Sequence, residues 1–193
     1  LWGFSARNPS RSLVAVLIAS AWAGMSRINW FPVPGMLAAA MYFLEVPVRG
    51  RDRQVVRYLA WPVVWIVLGL LTAFSSQALY ITASGCTDRS QFYTSLSSAL
   101  LWYRLLPNAT NPSGILPMVL VVSLPVGLAM GWAFHSHRLA WHPLRLLGLG
   151  MILAVLLLGG LVVSVKIGAG GDLHNLDAFL VCLMLVGACT VSG

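Results

Sequence analysis

The sequence predicts an all-α, polytopic transmembrane helical bundle of about six spans, with an interfacial helix in an outer loop. Two observations carry this prediction. Of the 193 residues, 59% are hydrophobic and only 9% are charged, whereas soluble domains carry roughly a quarter charged residues. The mean hydropathy is +0.83, and apolar runs alternate with short polar segments along the whole chain. We therefore treat residues 1–193 as one transmembrane helical domain, which can be a fragment of a longer chain because it opens on Leu1.

Six runs are apolar enough to predict spans. The first is shorter than the roughly 20 residues that cross the hydrocarbon core, so it needs its flanks or a tilted partner. Between the third and fourth runs, residues 91–106 carry apolar side chains at spacings of three and four, which predicts an amphipathic helix lying flat at the interface. The predicted spans are residues 13–25, 36–44, 58–79, 115–134, 146–165 and 178–191.

The second span has an unusual start. Pro32, Pro34 and Gly35 precede its apolar residues and predict a broken or kinked helix end, tolerated where the freed backbone faces protein or water. Arg27 and Asn29 lie at this end. They can bind an anionic or carbonyl ligand, or Arg27 can simply anchor the helix at the interface.

Basic residues predict the topology. Eight of the twelve arginines and lysines fall on the side of the N-terminus, four of them within residues 49–57, and four fall on the other side. The positive-inside rule then places the N-terminus in the cytoplasm, and we expect a multi-pass protein of the inner (plasma) membrane of the cell. The basic residues behind the net charge of +7 lie beside the apolar runs and form no stripe with interleaved aromatic residues. This pattern predicts membrane lipids as partners and no nucleic acid.

A polar island at residues 166–177 separates the last two spans. It holds the only lysine, three glycines among four residues, and two of the five acids. Glycines expose backbone amides, and the flanking side chains supply a cation, an imidazole, an amide and carboxylates, a set suited to a polar headgroup. Alternatively, the lysine snorkels, the asparagine turns the chain and the last aspartate caps a helix. The predicted substrate-binding residues are Lys166, Gly168, Gly170, Gly171, His174, Asn175 and Asp177, with Arg27 and Asn29.

Three unusual segments, residues 27–35, 82–114 and 166–177, fall on the predicted outer face. They can build one site there, or they can be merely the three outer loops of any six-span protein. The histidines at 135, 137 and 142 have spacings of two and five that match no standard zinc pattern. We therefore predict no metal site and no cofactor, although an aspartate of the polar island could still bind a divalent cation.

The stretch VSVKIGAGGDLHNLDAFLV resembles the lysine- and glycine-containing loop before a late span in GT-C glycosyltransferases, relatives of protein mannosyltransferases and lipid A aminoarabinose transferases. The segments SRINWFPVPG and FYTSLSSALLWYRLLPNAT are similar to loops of bacterial membrane proteins of that kind. The resemblance implies sugar transfer from a polyprenyl-phosphate carrier at the outer face. It further implies that Lys166 and its glycine loop contact the lipid-linked phosphate, and Asn175 and Asp177 the sugar or acceptor.

One departure from that family leaves catalysis open. Its members place a catalytic acid in the first large outer loop, and the turn around Arg27 contains no Asp or Glu. We therefore assign no catalytic residue. Two other functions remain: a non-catalytic integral subunit of a larger membrane assembly, with partner subunits around it, and a transporter. The broken helix start favours a transporter, but no predicted span carries an ionisable residue near its middle, where coupling sites usually lie.

Overall fold

The computed structural model describes residues 3–48, 52–85, 105–109, 112–136, 141–164 and 172–192. All regular structure in these ranges is helical, which confirms the all-α prediction. Two short 3₁₀ helices, η1 (Ile28–Trp30) and η2 (Asp172–Leu176), precede α-helices. The α-helices are α1 (Pro9–Gly24), α2 (Val33–Glu45), α3 (Asp52–Ala83), α4 (Ile115–Ser136), α5 (Pro143–Ser164) and α6 (Asp177–Ser192).

Three helices are long and apolar enough to cross a membrane, namely Gln54–Ala83 in α3, Ile115–Ser136 in α4 and Pro143–Val162 in α5. They indicate a membrane protein. The helices α1, α2 and α6 coincide with the other predicted spans but are 16, 13 and 16 residues long, so the count of six spans stays a prediction. Most of the predicted interfacial helix lies outside the described residues.

Helix α3 begins earlier than the sequence pattern indicates. We expected residues 45–57 to form a polar turn, but α3 starts at Asp52 and so includes Arg57. Polar side chains do not prevent a helix, since arginine and glutamine have good helix propensity. The basic cluster is therefore partly helical.

Two compact units can be distinguished in the chain. Unit 1 comprises residues 1–87 and 141–152, and unit 2 comprises residues 88–140 and 153–193. Helix α5 contributes its first turns to unit 1 and the remainder to unit 2. The single domain over residues 1–193 stays a prediction.

In unit 1, helix α1 lies parallel to α3. Its first residue, Pro9, accepts a hydrogen bond from the indole Nε1 of Trp65 at 3.3 Å. Further along, the carbonyl of Ala21 accepts a hydrogen bond from Ser76 Oγ at 2.7 Å. The C-terminal end of α1 therefore lies near Ser76 of α3.

Helix α2 returns antiparallel to α3. Phe31, just before α2, makes an edge-to-face contact with Phe74 at a centroid distance of 5.2 Å, while Tyr42 near its end lies 5.0 Å from Tyr58. The hydroxyl of Tyr58 donates a hydrogen bond of 2.9 Å to the carbonyl of Val46. Helices α1 and α2 thus form a hairpin laid along α3.

Two glycines let this hairpin approach α3 closely. A Cβ at Gly35 would lie 2.7 Å from the carbonyl oxygen of Trp65, and one at Gly24 would collide with the carbonyl oxygen of Ala73. Close backbone contact through small residues is the usual way in which helices associate in lipid, where no hydrophobic force drives them together.

In unit 2, helices α4 and α6 pack against each other, and η2 contacts α5. A Cβ at Gly187 of α6 would lie 2.5 Å from Val126 of α4. On α5, a Cβ at Gly160 would lie 2.6 Å from the Leu176 side chain and 3.0 Å from the Asn175 carbonyl. The missing side chain at Gly160 therefore makes room for the end of η2.

Candidate functional site

The connection between α1 and α2 presents Arg27. The amides of Met25 and Ser26 donate to the last carbonyls of α1, at 3.2 and 3.0 Å, which closes the helix end. Arg27 then has extended backbone, and its carbonyl accepts a hydrogen bond from Trp30 N–H at 3.0 Å, which starts η1. Arg27 is exposed, while Asn29 is 8% exposed and lies inside the turn. The turn therefore separates a structural asparagine from an accessible guanidinium.

An apolar groove lies beside Arg27, between α1 and α2. Its larger cavity has a volume of about 490 Å³ and is lined by Ala19 and Trp22 of α1, by Arg27 and Trp30 of the connection, and by Leu37 of α2. A smaller cavity of about 100 Å³ is lined by residues further from Arg27, among them Phe4, Ala15 and Met41. We call the two cavities together the α1–α2 groove.

The groove follows from how the hairpin packs. Both helices contact α3 more extensively than they contact each other, so they stay apart on the side that α3 does not cover. Every residue that lines the groove belongs to residues 3–41. On α1 these residues recur at spacings of three and four, as expected for one face of a helix.

The charge beside this groove comes from Arg27. Arg27 is the only charged residue between Arg11 and Glu45 in the sequence. A guanidinium stays protonated and offers five donors, so it binds phosphate or carboxylate but cannot serve as a general base. The groove is therefore suited to an amphiphile with an apolar chain and an anionic headgroup.

The predicted site residues of the polar island lie in unit 2, or outside the described residues. Lys166, Gly168, Gly170 and Gly171 lie outside. The backbone of His174 belongs to η2, but its side chain is not among those described. Asn175 is 1% exposed, which is the environment of a core residue. Asp177 is partly exposed in the first turn of α6, where its carboxylate interacts favourably with the helix dipole.

The structure thus brings Arg27 and Asn29 into one turn of unit 1, and Asn175 and Asp177 to the start of α6 in unit 2. The shared site of the three outer segments stays a prediction. Among the described residues, no group of three or more His, Cys, Asp or Glu side chains is placed to hold a metal ion. No family model, curated protein or solved structure matches the chain.

The sequence pattern identifies Arg27 as a candidate binding residue, but it does not identify the apolar residues that line the groove. Ala19, Trp22 and Leu37 belong to predicted spans, and Pro34 to the predicted broken start of the second span. A weak signal exists in the sequence, since Ser12, Ala15, Ala19 and Trp22 place small and aromatic side chains on one face of α1. Such a face is equally compatible with direct helix–helix packing.

Proposed function

We propose that the chain is a substrate-binding portion of an integral membrane glycosyltransferase that takes a sugar from a polyprenyl-phosphate carrier at the outer membrane face. The observation that carries this proposal is the apolar groove of about 490 Å³ with Arg27 at its mouth. A lipid-linked phosphate has the same two parts, an apolar chain and an anionic head. Charge-assisted hydrogen bonds from a guanidinium to phosphate are among the strongest in proteins.

The predicted topology agrees with this assignment. Arg27 follows directly after the first predicted span, residues 13–25, so the prediction puts it near the boundary of the hydrocarbon core, where lipid phosphates are found. With six spans and a cytoplasmic N-terminus, this end faces outward.

For the polar island, considered by itself, the resemblance implies that Lys166 and its glycine loop contact a lipid-linked phosphate, and Asn175 and Asp177 the sugar or acceptor. These roles stay predictions. The catalytic carboxylate is not assigned, because the turn at Arg27 contains no acid. In this proposal the chain holds the carrier, and Arg27 acts in binding alone.

The test measures binding of undecaprenyl phosphate to the full chain in lipid nanodiscs. Arg27→Gln removes the cation and should weaken binding about ten- to a hundredfold, since a hydrogen bond to a charged group is worth roughly 1.5–3 kcal/mol. Lys166→Ala should weaken it as well. Arg57→Gln is the matched control, because Arg57 is exposed on α3 near Tyr58, at the end away from Arg27.

Equal affinities of the Arg27 and Arg57 variants would contradict the proposal and favour a non-catalytic subunit. A second assay measures transfer of labelled sugar from the undecaprenyl carrier to an acceptor. A transferase should show this transfer and lose it in Arg27→Gln, whereas a carrier-binding subunit should show no transfer. A transporter would instead move its solute in vesicles whether or not the carrier is present. The topology is checked by labelling Ser26→Cys from outside intact cells, in a chain whose native cysteines are replaced by serine; protection from the reagent would refute the outward placement.

A further inference from the structure

A separate cavity of unit 1 lies between the start of α1 and the end of α2. Its volume is about 650 Å³, within the roughly 300–1,000 Å³ that is usual for small-molecule sites. None of its lining residues lines the α1–α2 groove. We call it the Arg7–Glu45 cavity, and it is lined by Ala6, Arg7, Glu45, Val46 and Pro47.

Hydrogen bonds fix the backbone on both sides of the Arg7–Glu45 cavity. Before α1, the amide of Asn8 donates to the carbonyl of Ser5 at 3.1 Å and closes a turn that includes Arg7. After α2, the carbonyl of Val46 accepts a hydrogen bond of 2.9 Å from the hydroxyl of Tyr58. Both walls of the cavity are therefore held in place by the fold of unit 1.

The two walls carry opposite charges, each of them against the usual preference of a helix end. Arg7 directly precedes the N-cap of α1, and Glu45 is the last residue of α2. A cation is unfavourable beside the positive end of a helix dipole, and an acid is unfavourable at the negative end. Both side chains are exposed, and in the part of the chain that the structure describes no ion pair joins them. Helix stability therefore does not explain this pair of charges, and both are accessible to a ligand.

These charges define the chemistry of the ligand. The guanidinium of Arg7 donates to phosphate, and the carboxylate of Glu45 accepts hydrogen bonds from an ammonium group. A quaternary ammonium donates no hydrogen bond and is usually bound by aromatic side chains. Among the described residues that line the cavity, none is aromatic. The cavity is therefore suited to a phosphate that is joined to a primary ammonium.

The surroundings of the cavity favour a lipid as the source of this zwitterion. Tyr58, which bonds Val46 of the cavity wall, lies four positions after the start of Gln54–Ala83, a segment that is long and apolar enough to cross a membrane. Tyr42 is in contact with Tyr58, at a centroid distance of 5.0 Å. Tyrosine is enriched at the membrane–water interface, where phospholipid headgroups lie.

We propose that the Arg7–Glu45 cavity binds the headgroup of phosphatidylethanolamine, with the lipid phosphate at Arg7 and the ammonium at Glu45. An anionic lipid such as phosphatidylglycerol uses only the Arg7 side of the cavity. The protein therefore prefers the ethanolamine headgroup to the glycerol and choline headgroups. This preference is independent of the carrier proposed for the α1–α2 groove, because the two sites share no lining residue.

The experiment titrates the full chain in detergent with phosphatidylethanolamine, phosphatidylcholine and phosphatidylglycerol of identical acyl chains, and native mass spectrometry measures the bound lipid. Phosphatidylethanolamine should bind about two- to fivefold more tightly than the other two lipids, as expected for one exposed charge pair. Glu45→Gln should remove this preference and leave phosphatidylglycerol binding unchanged, whereas Arg7→Gln should weaken binding of all three lipids. Arg11→Gln is the matched control, since Arg11 is exposed on α1 and does not line the cavity.

Several outcomes would overturn the inference. Equal binding of the three lipids, a preference that survives Glu45→Gln, or equal effects of the Arg7 and Arg11 substitutions would each exclude a headgroup site at this cavity. If Glu45→Gln lowers the unfolding midpoint without changing the lipid preference, Glu45 acts in the fold alone. Displacement of the lipid by an equal concentration of free phosphoethanolamine would assign the cavity to a soluble zwitterion. No polyprenyl phosphate is used, so the result does not depend on whether the chain binds a sugar carrier.

Discussion

Arg145 closes the C-terminal end of helix α2, and its removal should destabilise unit 1. An α-helix leaves its last four carbonyls without intrahelical partners. In α2, Arg145 at the start of α5 donates from Nε to the Phe43 carbonyl at 2.5 Å and from Nη2 to the Leu44 carbonyl at 2.7 Å. Its guanidinium carbon also lies 4.9 Å from the centre of the Trp141 ring. One side chain therefore serves two carbonyls that α2 itself leaves open.

The magnitude follows from these contacts. A hydrogen bond to a charged group is worth about 1.5–3 kcal/mol, and a desolvated carbonyl left without a partner costs roughly 1–3 kcal/mol. Some water reaches a helix end at the membrane interface, so the two bonds together contribute about 2–4 kcal/mol. Arg145→Met keeps the aliphatic length and loses both bonds. Arg145→Lys keeps the charge but cannot serve both carbonyls with a planar fork, so it should recover only part of the loss.

The assay is thermal unfolding of the full chain in nanodiscs. For a protein of this size, each kcal/mol corresponds to roughly 2–4 °C, so Arg145→Met should lower the midpoint by about 4–16 °C, with Arg145→Lys between it and the unchanged protein. Arg57→Met controls for loss of an exposed arginine. If the Arg145 and Arg57 variants unfold at the same temperature, or if lysine restores the midpoint fully, the two hydrogen bonds from Arg145 do not stabilise the end of α2.

Two further substitutions test the close helix contacts. Gly35→Leu would place its side chain within 2.8 Å of the α3 backbone and should lower the unfolding midpoint by at least about 5 °C. Gly150→Ala is the control: its Cβ meets open space, so the midpoint should change by less than about 2 °C. Similar shifts for both variants would refute the contact. Gly160→Val should push the end of η2 away from α5 and expose Asn175. Hydrogen exchange should then show lost protection of the amides at residues 172–177, and unchanged exchange would contradict this packing.

The helices could be predicted from the sequence, because each apolar run has a length and composition that favour a buried helix. The run at residues 115–134, for example, became α4 with nearly the same bounds. Helix starts were less predictable because they depend on single caps. Helix α1 begins at Pro9, before its apolar run, because Asn8 Oδ1 accepts the Arg11 amide at 3.1 Å and proline fits the first helical position.

Long-range contacts could not be predicted from the sequence. Arg145 looked like one more basic residue of a turn facing lipid headgroups, since nothing in its neighbourhood points to α2, about a hundred positions earlier. Arg27 could be singled out because it is the one charge in a long apolar stretch. Its groove could not, because the gap between α1 and α2 depends on where α3 lies beneath them.

That dependence links stability to binding. The groove exists because Gly24 and Gly35 let both helices rest on the α3 backbone, which leaves the side away from α3 unfilled. The walls of the groove belong to helices, and Ser5 at its end is hydrogen-bonded to Ser12 of α1. Under the proposed function, a carrier chain that enters this preformed groove would lose little free energy to ordering the protein. It follows that Gly35→Leu should weaken undecaprenyl phosphate binding even at temperatures where unit 1 stays folded, although Gly35 itself does not line the groove.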